Sequence, residues 1–225
     1  MKEKLVLVGN GMAGMRTIEE VLKLAPDAYD VTVFGEEPRG NYNRIMLSPV
    51  LSGEASFEST LINPPDWYAE RGITLHAGNA VVRIDRRRRT VVAADGIAAK
   101  YDRLVLATGS RSVRLAVPGA DLDGVIGFRT IDDVERMLAA ADCGRHAVVI
   151  GGGLLGLEAA AGLRRRGMRV RVVHLGETLL DRQLDATAGG LLRQALEADG
   201  IAFLRGAAPR WVLGPGGGRG GAFEA

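Results

Sequence analysis

The chain has 225 residues, 47% of them hydrophobic and 25% charged, enough to bury a core as one large domain or two small ones. Its 29 basic and 27 acidic residues leave a net charge of +2, which offers no nucleic-acid footprint, and no apolar run approaches membrane-spanning length. The single cysteine, Cys143, excludes an internal disulfide and a CxxC pair, and His76, His146 and His174 lack metal-ligand spacing, so no metal site is expected.

Leu5 to Val8 reads as a buried strand that runs straight into the glycine loop GNGMAG, Gly9 to Gly14. The apolar run is too short for a secretory leader, and the expected compartment is the cytoplasm. A helix follows, with apolar residues at Met15, Ile18, Val21, Leu22 and Ala25, and Pro26 and Asp27 end it. Val31 to Phe34 is a second strand, so the chain opens on a βαβ unit whose natural home is a parallel sheet. Residues 38 to 66 read as a long irregular loop rich in Pro, Ser and Asn, a length that is usually functional. Residues 73 to 101 alternate in short segments and predict an antiparallel meander, with Arg86 to Arg89 as its solvated turn. Leu104 to Ala107 is an apolar strand ending in Thr108 and Gly109, and residues 110 to 145 hold the crossover to a second unit.

That unit repeats the first. His146 to Ile150 is a strand, GGGLLG (Gly151 to Gly156) a glycine loop, and LEAAAGLRRRG a helix with cations Arg164 to Arg166 in its last turn and Gly167 as its stop. Val170 to Val173 is a strand, residues 181 to 198 an amphipathic helix ended by Gly200, and Ile201 to Leu204 a further strand. The tail is rich in glycine and reads either as a flexible linker or as a truncated or frame-altered end, because the second unit has not finished its sheet.

The chemistry lies in the two glycine loops. In GxGxxG the first glycine (Gly9, Gly151) permits the tight turn, the second (Gly11, Gly153) lets backbone approach a pyrophosphate, and the third (Gly14, Gly156) allows helix and strand to pack closely. The N–H groups around Met12 and Ala13, and around Leu154 and Leu155, then face the phosphates from a helix N-terminus. One such motif is weak evidence, and two in one chain imply two dinucleotides, commonly FAD and a nicotinamide. Glu36 and Glu37 follow the second strand at the distance of a ribose-binding carboxylate. The matching position of the second unit holds His174 and Leu175, neither acid nor arginine, which leaves NADH and NADPH both open. Arg44 is a candidate partner for a flavin phosphate, Thr108 and Gly109 permit close approach to a ligand, and Glu158 either faces a nicotinamide or caps its helix. Cys143 has no resolving partner and reads as a structural residue.

GNGMAG, NYNRIMLS, YDRLVLATGS and VVIGGGLLGLEAA together resemble the pyridine nucleotide-linked flavoprotein reductases. FGEEPRGNYNRIMLSPVLSGE and LLDRQLDATAG are similar to the N-terminal portion of the NAD(P)H-dependent nitrite reductase large subunit, from Lys4 to about Gly206. The resemblance implies an α/β chain of two Rossmann-like dinucleotide-binding units, incomplete at its C-terminus: an FAD-binding domain at 1–117, a partial NAD(P)-binding domain at 118–205, and a glycine-rich, disordered or aberrant tail at 206–225. It implies FAD on Gly9, Gly11, Gly14, Glu36, Arg44, Thr108 and Gly109, and NAD(P)H on Gly151, Gly153, Gly156 and Glu158. Electrons would leave through an iron–sulfur centre to sirohaem, where nitrite becomes ammonia, with the metal centres in a downstream region or small subunit. Related ferredoxin reductases carry a lysine where Pro49 stands, and this chain lacks the cysteines of the iron–sulfur and sirohaem sites. The alternatives are a reductase for a separate ferredoxin or rubredoxin, and a truncated module that binds dinucleotides without catalysis.

Overall fold

A computed structural model describes residues 2–144, 146–214 and 223–224. In chain order the elements are β1 (Glu3–Val8), α1 (Met12–Leu24), β2 (Tyr29–Phe34), β3 (Asn41–Tyr42), α2 (Leu47–Ser52), β4 (Leu61–Asn63), α3 (Pro65–Glu70), β5 (Thr74–His76), β6 (Val81–Asp85), β7 (Thr90–Ala93), β8 (Ala98–Lys100), β9 (Arg103–Leu106), α4 (Ile131–Cys143), β10 (His146–Ile150), α5 (Leu154–Arg165), β11 (Arg169–His174), α6 (Ala186–Ala198), β12 (Ala202–Arg205), β13 (Ala208–Pro209) and β14 (Phe223–Glu224). They form two compact units, Met1–Arg44 with Glu58–Ser110, and Ile45–Phe57 with Arg111–Ala225. Residues 111–117 and the internal segment 45–57 both go with the second unit.

The first unit is built on a parallel sheet in the order β5-β2-β1-β9. β1 is apolar at four successive positions because both its faces are covered, as a central parallel strand requires. Leu5 and Leu7 pack with Met15 and Ile18 of α1, Val31, Val33, Tyr68 and Ile73. Val6 and Val8 point the other way, onto Phe34, Val91 and Ala93, so the antiparallel meander β6-β7-β8 closes the second face. The register pairs Val8 with both Phe34 and Leu106, and Phe34 with His76. The four strands therefore end level, and their following loops share one crest, which is where open α/β sheets take ligands. The expected loop at 38–66 is more ordered than its composition indicates: β3 pairs with β4, and α2 and α3 lie within it.

The second unit carries the parallel sheet β10-β11-β12. α5 packs on β10 and β11, and Val170, Val172, Val173, Leu157, Ala160 and Leu163 are buried. The crossover contains α4, whose start is fixed by a capping box: Thr130 accepts from the Asp133 N–H while Asp133 accepts from that of Thr130. α6 begins at Ala186, later than the expected 181, because the Asp185 carboxylate caps it through the Ala188 N–H. α2 belongs here by specific contacts: Arg166 donates to the carbonyls of Leu51 (2.7 Å) and Val50 (3.1 Å), and Arg165 pairs with Glu54. A Cβ at residue 162 would stand 2.8 Å from Leu51 Cγ, so Gly162 is what lets the two helices approach. Within the tail expected at 206–225, Ala207 is buried, Val212 N–H donates to Pro118 O at 2.8 Å, and β13 pairs with β14, while Trp211 and Leu213 are exposed. Residues 215–222 and 225 of that expectation lie outside the described residues. Among the described residues no helix is long and apolar enough to cross a membrane.

Leu7 is fully buried between the sheet and α1, whereas Leu24 is 84% exposed. Chemical denaturation of Leu7→Ala is expected to show a loss of about 3 kcal/mol, and Leu24→Ala a change within about 0.5 kcal/mol.

Candidate functional site

Each unit places a glycine loop at the end of its first strand, and the three glycines of each loop answer different demands. Gly9 has φ +109° and Gly151 φ +117°, conformations that a side chain disfavours. At Gly9 an added Cβ would also fall 2.1 Å from Ala107 O. A Cβ at Gly14 would meet Gly9 O at 2.7 Å, and one at Gly156 would meet Gly151 O at 2.1 Å, so these two bring the helix onto its own loop. Gly11 and Gly153 differ: φ is −97° and −84°, and nothing lies within 4 Å of a built Cβ. Neither backbone strain nor the protein's own packing requires glycine there.

Those two residues are also the N-caps of α1 and α5. Neither helix has a side-chain cap or an acidic residue in its first turn. By contrast α4 and α6, which follow no glycine loop, are capped by Thr130 and Asp185. The first-turn N–H groups, with Met12 and Ala13 in one unit and Leu154 and Leu155 in the other, thus face outward with the positive end of the helix dipole behind them, a setting suited to an anion. Leu154 and Leu155 are exposed.

In the first unit, Thr108 and Gly109 run on from β9 beside this loop; Ala107 N–H donates to Val8 O at 2.8 Å and Gly109 has φ +71°. Glu36 is exposed just past β2. Its neighbour Glu37 accepts from Tyr42 Oη at 2.6 Å and pairs with Arg44, which also donates to Tyr42 Oη at 2.9 Å. The guanidinium expected to meet a phosphate therefore already carries a carboxylate partner, and both are about three-quarters shielded, with side chains 27% and 22% exposed.

Asn10, inside the first loop, escaped the sequence reading. Its amide donates to Arg39 O at 3.1 Å and its Oδ1 accepts from Tyr68 Oη at 2.7 Å. Tyr68 is buried and also accepts from the Asn41 N–H at 3.2 Å. Asn41 in turn donates to Asn63, and Asn63 to Glu19 on α1. A buried polar network thus braces the loop from below. A Cβ at Gly35 would sit 2.8 Å from Asn10 Cβ, so the chain leaving β2 passes directly against the loop.

In the second unit Glu158 lies on the second turn of α5, past the cap position, and accepts from Ser48 Oγ of α2 at 2.5 Å. Ser48 precedes Pro49, so a neutral hydroxyl partners this carboxylate. His174, at the end of β11, accepts at Nδ1 from the Gly152 N–H at 3.2 Å and meets Thr178 O through Nε2 at 3.1 Å. Glu177 is engaged by Arg205, at 2.8 Å through its carbonyl and 3.3 Å through its carboxylate. Among the described residues no group of three or more His, Cys, Asp or Glu could hold a metal ion.

Burial raises the Tyr68 phenol above its ordinary pKa, the neighbouring hydrogen bonds opposing this only in part. Its contribution is whole below the unfolded value of about 10 and is lost as pH rises toward the folded one. Tyr68→Phe is expected to cost about 1 kcal/mol at neutral pH and to lose less further stability than the wild type above about pH 10, as read by denaturation at the two pH values.

The family described as pyridine nucleotide-disulphide oxidoreductase matches residues 3–217. The chain is 51% identical over 203 residues, 90% of its length, to the nitrite reductase [NAD(P)H] of Bacillus subtilis, and 49% identical over the same length to that organism's assimilatory nitrate reductase electron transfer subunit. It covers 25% and 26% of those two proteins, so it spans about a quarter of the length of each. The crystal structure of the ferredoxin reductase for the CYP199A2 system from Rhodopseudomonas palustris superposes with a TM-score of 0.87 at 30% identity, covering 96% of this chain and 53% of that one. The two strand–glycine-loop–helix units are those of a two-dinucleotide flavoprotein, and the chain belongs to the pyridine nucleotide-disulphide oxidoreductase family.

Proposed function

We propose that this chain is the electron-input part of a longer NAD(P)H-dependent nitrite reductase, with FAD in the first unit and the reduced nicotinamide dinucleotide in the second. The observation that carries the reading is the open space at Gly11 and Gly153. A glycine that neither strain nor packing requires, at an uncapped helix N-terminus, is explained by a ligand backbone that comes where a Cβ would stand. Both units have this cradle, so both fit a dinucleotide pyrophosphate.

In the first unit the amides around Met12 and Ala13 would hold the FAD pyrophosphate. Asn10, tied to Tyr68, holds those amides in place. Glu36, exposed just past β2, would meet a ribose, and Thr108 and Gly109 form the neighbouring wall. Arg44, compensated by Glu37, serves a phosphate as a directed hydrogen-bond donor more than as a bare charge. In the second unit Gly151, Gly153, Leu154, Leu155 and Gly156 would hold the NAD(P)H pyrophosphate. Glu158, oriented by Ser48, offers a carboxylate to the nucleotide. Bound FAD supplies hydride acceptance and one-electron release, which no side chain of this chain provides.

The similarity to nitrite reductase [NAD(P)H] at 51% identity supports nitrite, reduced to ammonia, as the final acceptor. The iron–sulfur cluster and sirohaem of such an enzyme would be held by a downstream region or small subunit, since this chain has one cysteine. A reductase serving a separate ferredoxin is the second reading, favoured by the likeness to the Rhodopseudomonas structure. The Ser48–Pro49 pair, in place of the lysine of such reductases, weighs against it.

The test is an anaerobic absorbance titration of the purified chain with FAD, then with NADH or NADPH. Flavin retained through gel filtration and bleached by a reduced nicotinamide is the expected result. Retention without bleaching would leave a dinucleotide-binding module without turnover, and a folded chain that retains neither nucleotide would overturn the proposal.

A further inference from the structure

The second glycine loop is held at three points. Gly151 N–H donates to Val173 O at 2.8 Å, and Gly152 O accepts from Leu180 N–H at 3.1 Å. The third anchor is a side chain, the imidazole of His174, which accepts from Gly152 N–H at 3.2 Å. The ring is wedged against the loop: a Cβ at Gly152 would stand 2.8 Å from His174 Cγ, and one at Gly176 would stand 3.0 Å from Nε2. His174 occupies the end of the second strand, where dinucleotide-binding units commonly carry a ribose-reading acid or a phosphate-reading arginine. Here the side chain turns inward to the loop instead.

The two contacts allow one protonation state. A backbone N–H can only donate, so Nδ1 must present its lone pair to Gly152. The Thr178 carbonyl can only accept, so Nε2 must carry the hydrogen. A second proton on the ring would set N–H against N–H at Gly152 and release that anchor.

We propose that His174 is a positioning residue for the nicotinamide dinucleotide, holding the pyrophosphate loop through its neutral Nε2–H tautomer and making nucleotide affinity fall as the ring is protonated. The inference rests on the dinucleotide reading of the second unit. The ring's surroundings are largely neutral: Gly152 and Leu179 on one side, the Thr178 carbonyl on the other. Asp181 lies beyond Gly176, with Oδ2 3.5 Å from the point where that residue's Cβ would be. On the adjoining strand, Arg205 is the register partner of His174 and its charge is taken by Glu177. None of these groups changes the sign, because only the protonated ring loses Gly152.

The test measures the dissociation constant of NAD⁺ by calorimetry on the full chain from about pH 8 to about pH 5.5, the range in which imidazoles change charge. NAD⁺ survives acid and its pyrophosphate does not titrate there. Wild-type affinity is expected to fall about three- to tenfold, the loss of one hydrogen bond. His174→Asn, whose amide oxygen takes the place of Nδ1 and does not titrate, should keep the affinity seen at high pH and lose the pH dependence. A flat wild-type profile, or an equal fall in His174→Asn, overturns the proposal. Long-range ¹H–¹⁵N NMR of the wild-type chain reads the tautomer without any variant: Nε2–H is expected, and Nδ1–H would overturn it. A folded wild-type chain that binds no NAD⁺ at any pH overturns the dinucleotide reading itself, and this inference with it.

Discussion

The carbonyl of Gly9 lies 2.7 Å from where a Cβ on Gly14 would stand, and that of Gly151 lies 2.1 Å from the same point on Gly156. This close approach of a helix to its own preceding loop is the constraint from which both units follow. It forces glycine at those positions and sets the helix N-terminus directly beyond the end of the strand. The first-turn N–H groups are thereby aimed outward at the crest of the sheet. A side chain at either position would push the helix back and turn the amides away from a common focus, whatever else the core preserved.

Around that constraint the two units use different supports. The first loop is braced by buried polar side chains, Asn10 on Tyr68 and onward to Asn41, Asn63 and Glu19. The second is braced by backbone groups and one imidazole. The second unit also draws in residues 45–57, so the serine that orients Glu158 comes from a segment far away in sequence. Arg166, at the end of α5, fixes that segment by two carbonyls, which makes the C-terminal cations of this helix structural as well as favourable to its dipole.

The repeated strand–loop–helix pattern was legible in the sequence because its signals are local: an apolar run, glycines at fixed offsets, a helical apolar period and a glycine stop at Gly167, which has φ +86°. Other features depend on distant partners and were not. Leu47 to Ser52, short and interrupted by Pro49, has no helical signature of its own and is held by Arg166 and by the space at Gly162. Glu36 and Glu37 are indistinguishable by spacing, yet the fold leaves Glu36 exposed and ties Glu37, half-buried, to Tyr42 and Arg44. Asn10 gave no sign, since its partner Tyr68 is 58 residues away. The helix at Ile131–Cys143 does carry a local signal, Thr130 followed three residues later by Asp133.

In the proposed function Gly11 is kept for a ligand and not for the fold. The most direct measurement is thermal melting of Gly11→Ser by circular dichroism, with and without FAD. Serine is a good N-cap and suits the extended backbone at this position, where φ is −97° and ψ 176°. The expected result is a melting temperature without FAD at or above that of the wild type, and loss of the stabilisation that FAD gives the wild type. A variant that melts well below the wild type without ligand, or that keeps the full FAD-dependent shift, would contradict it.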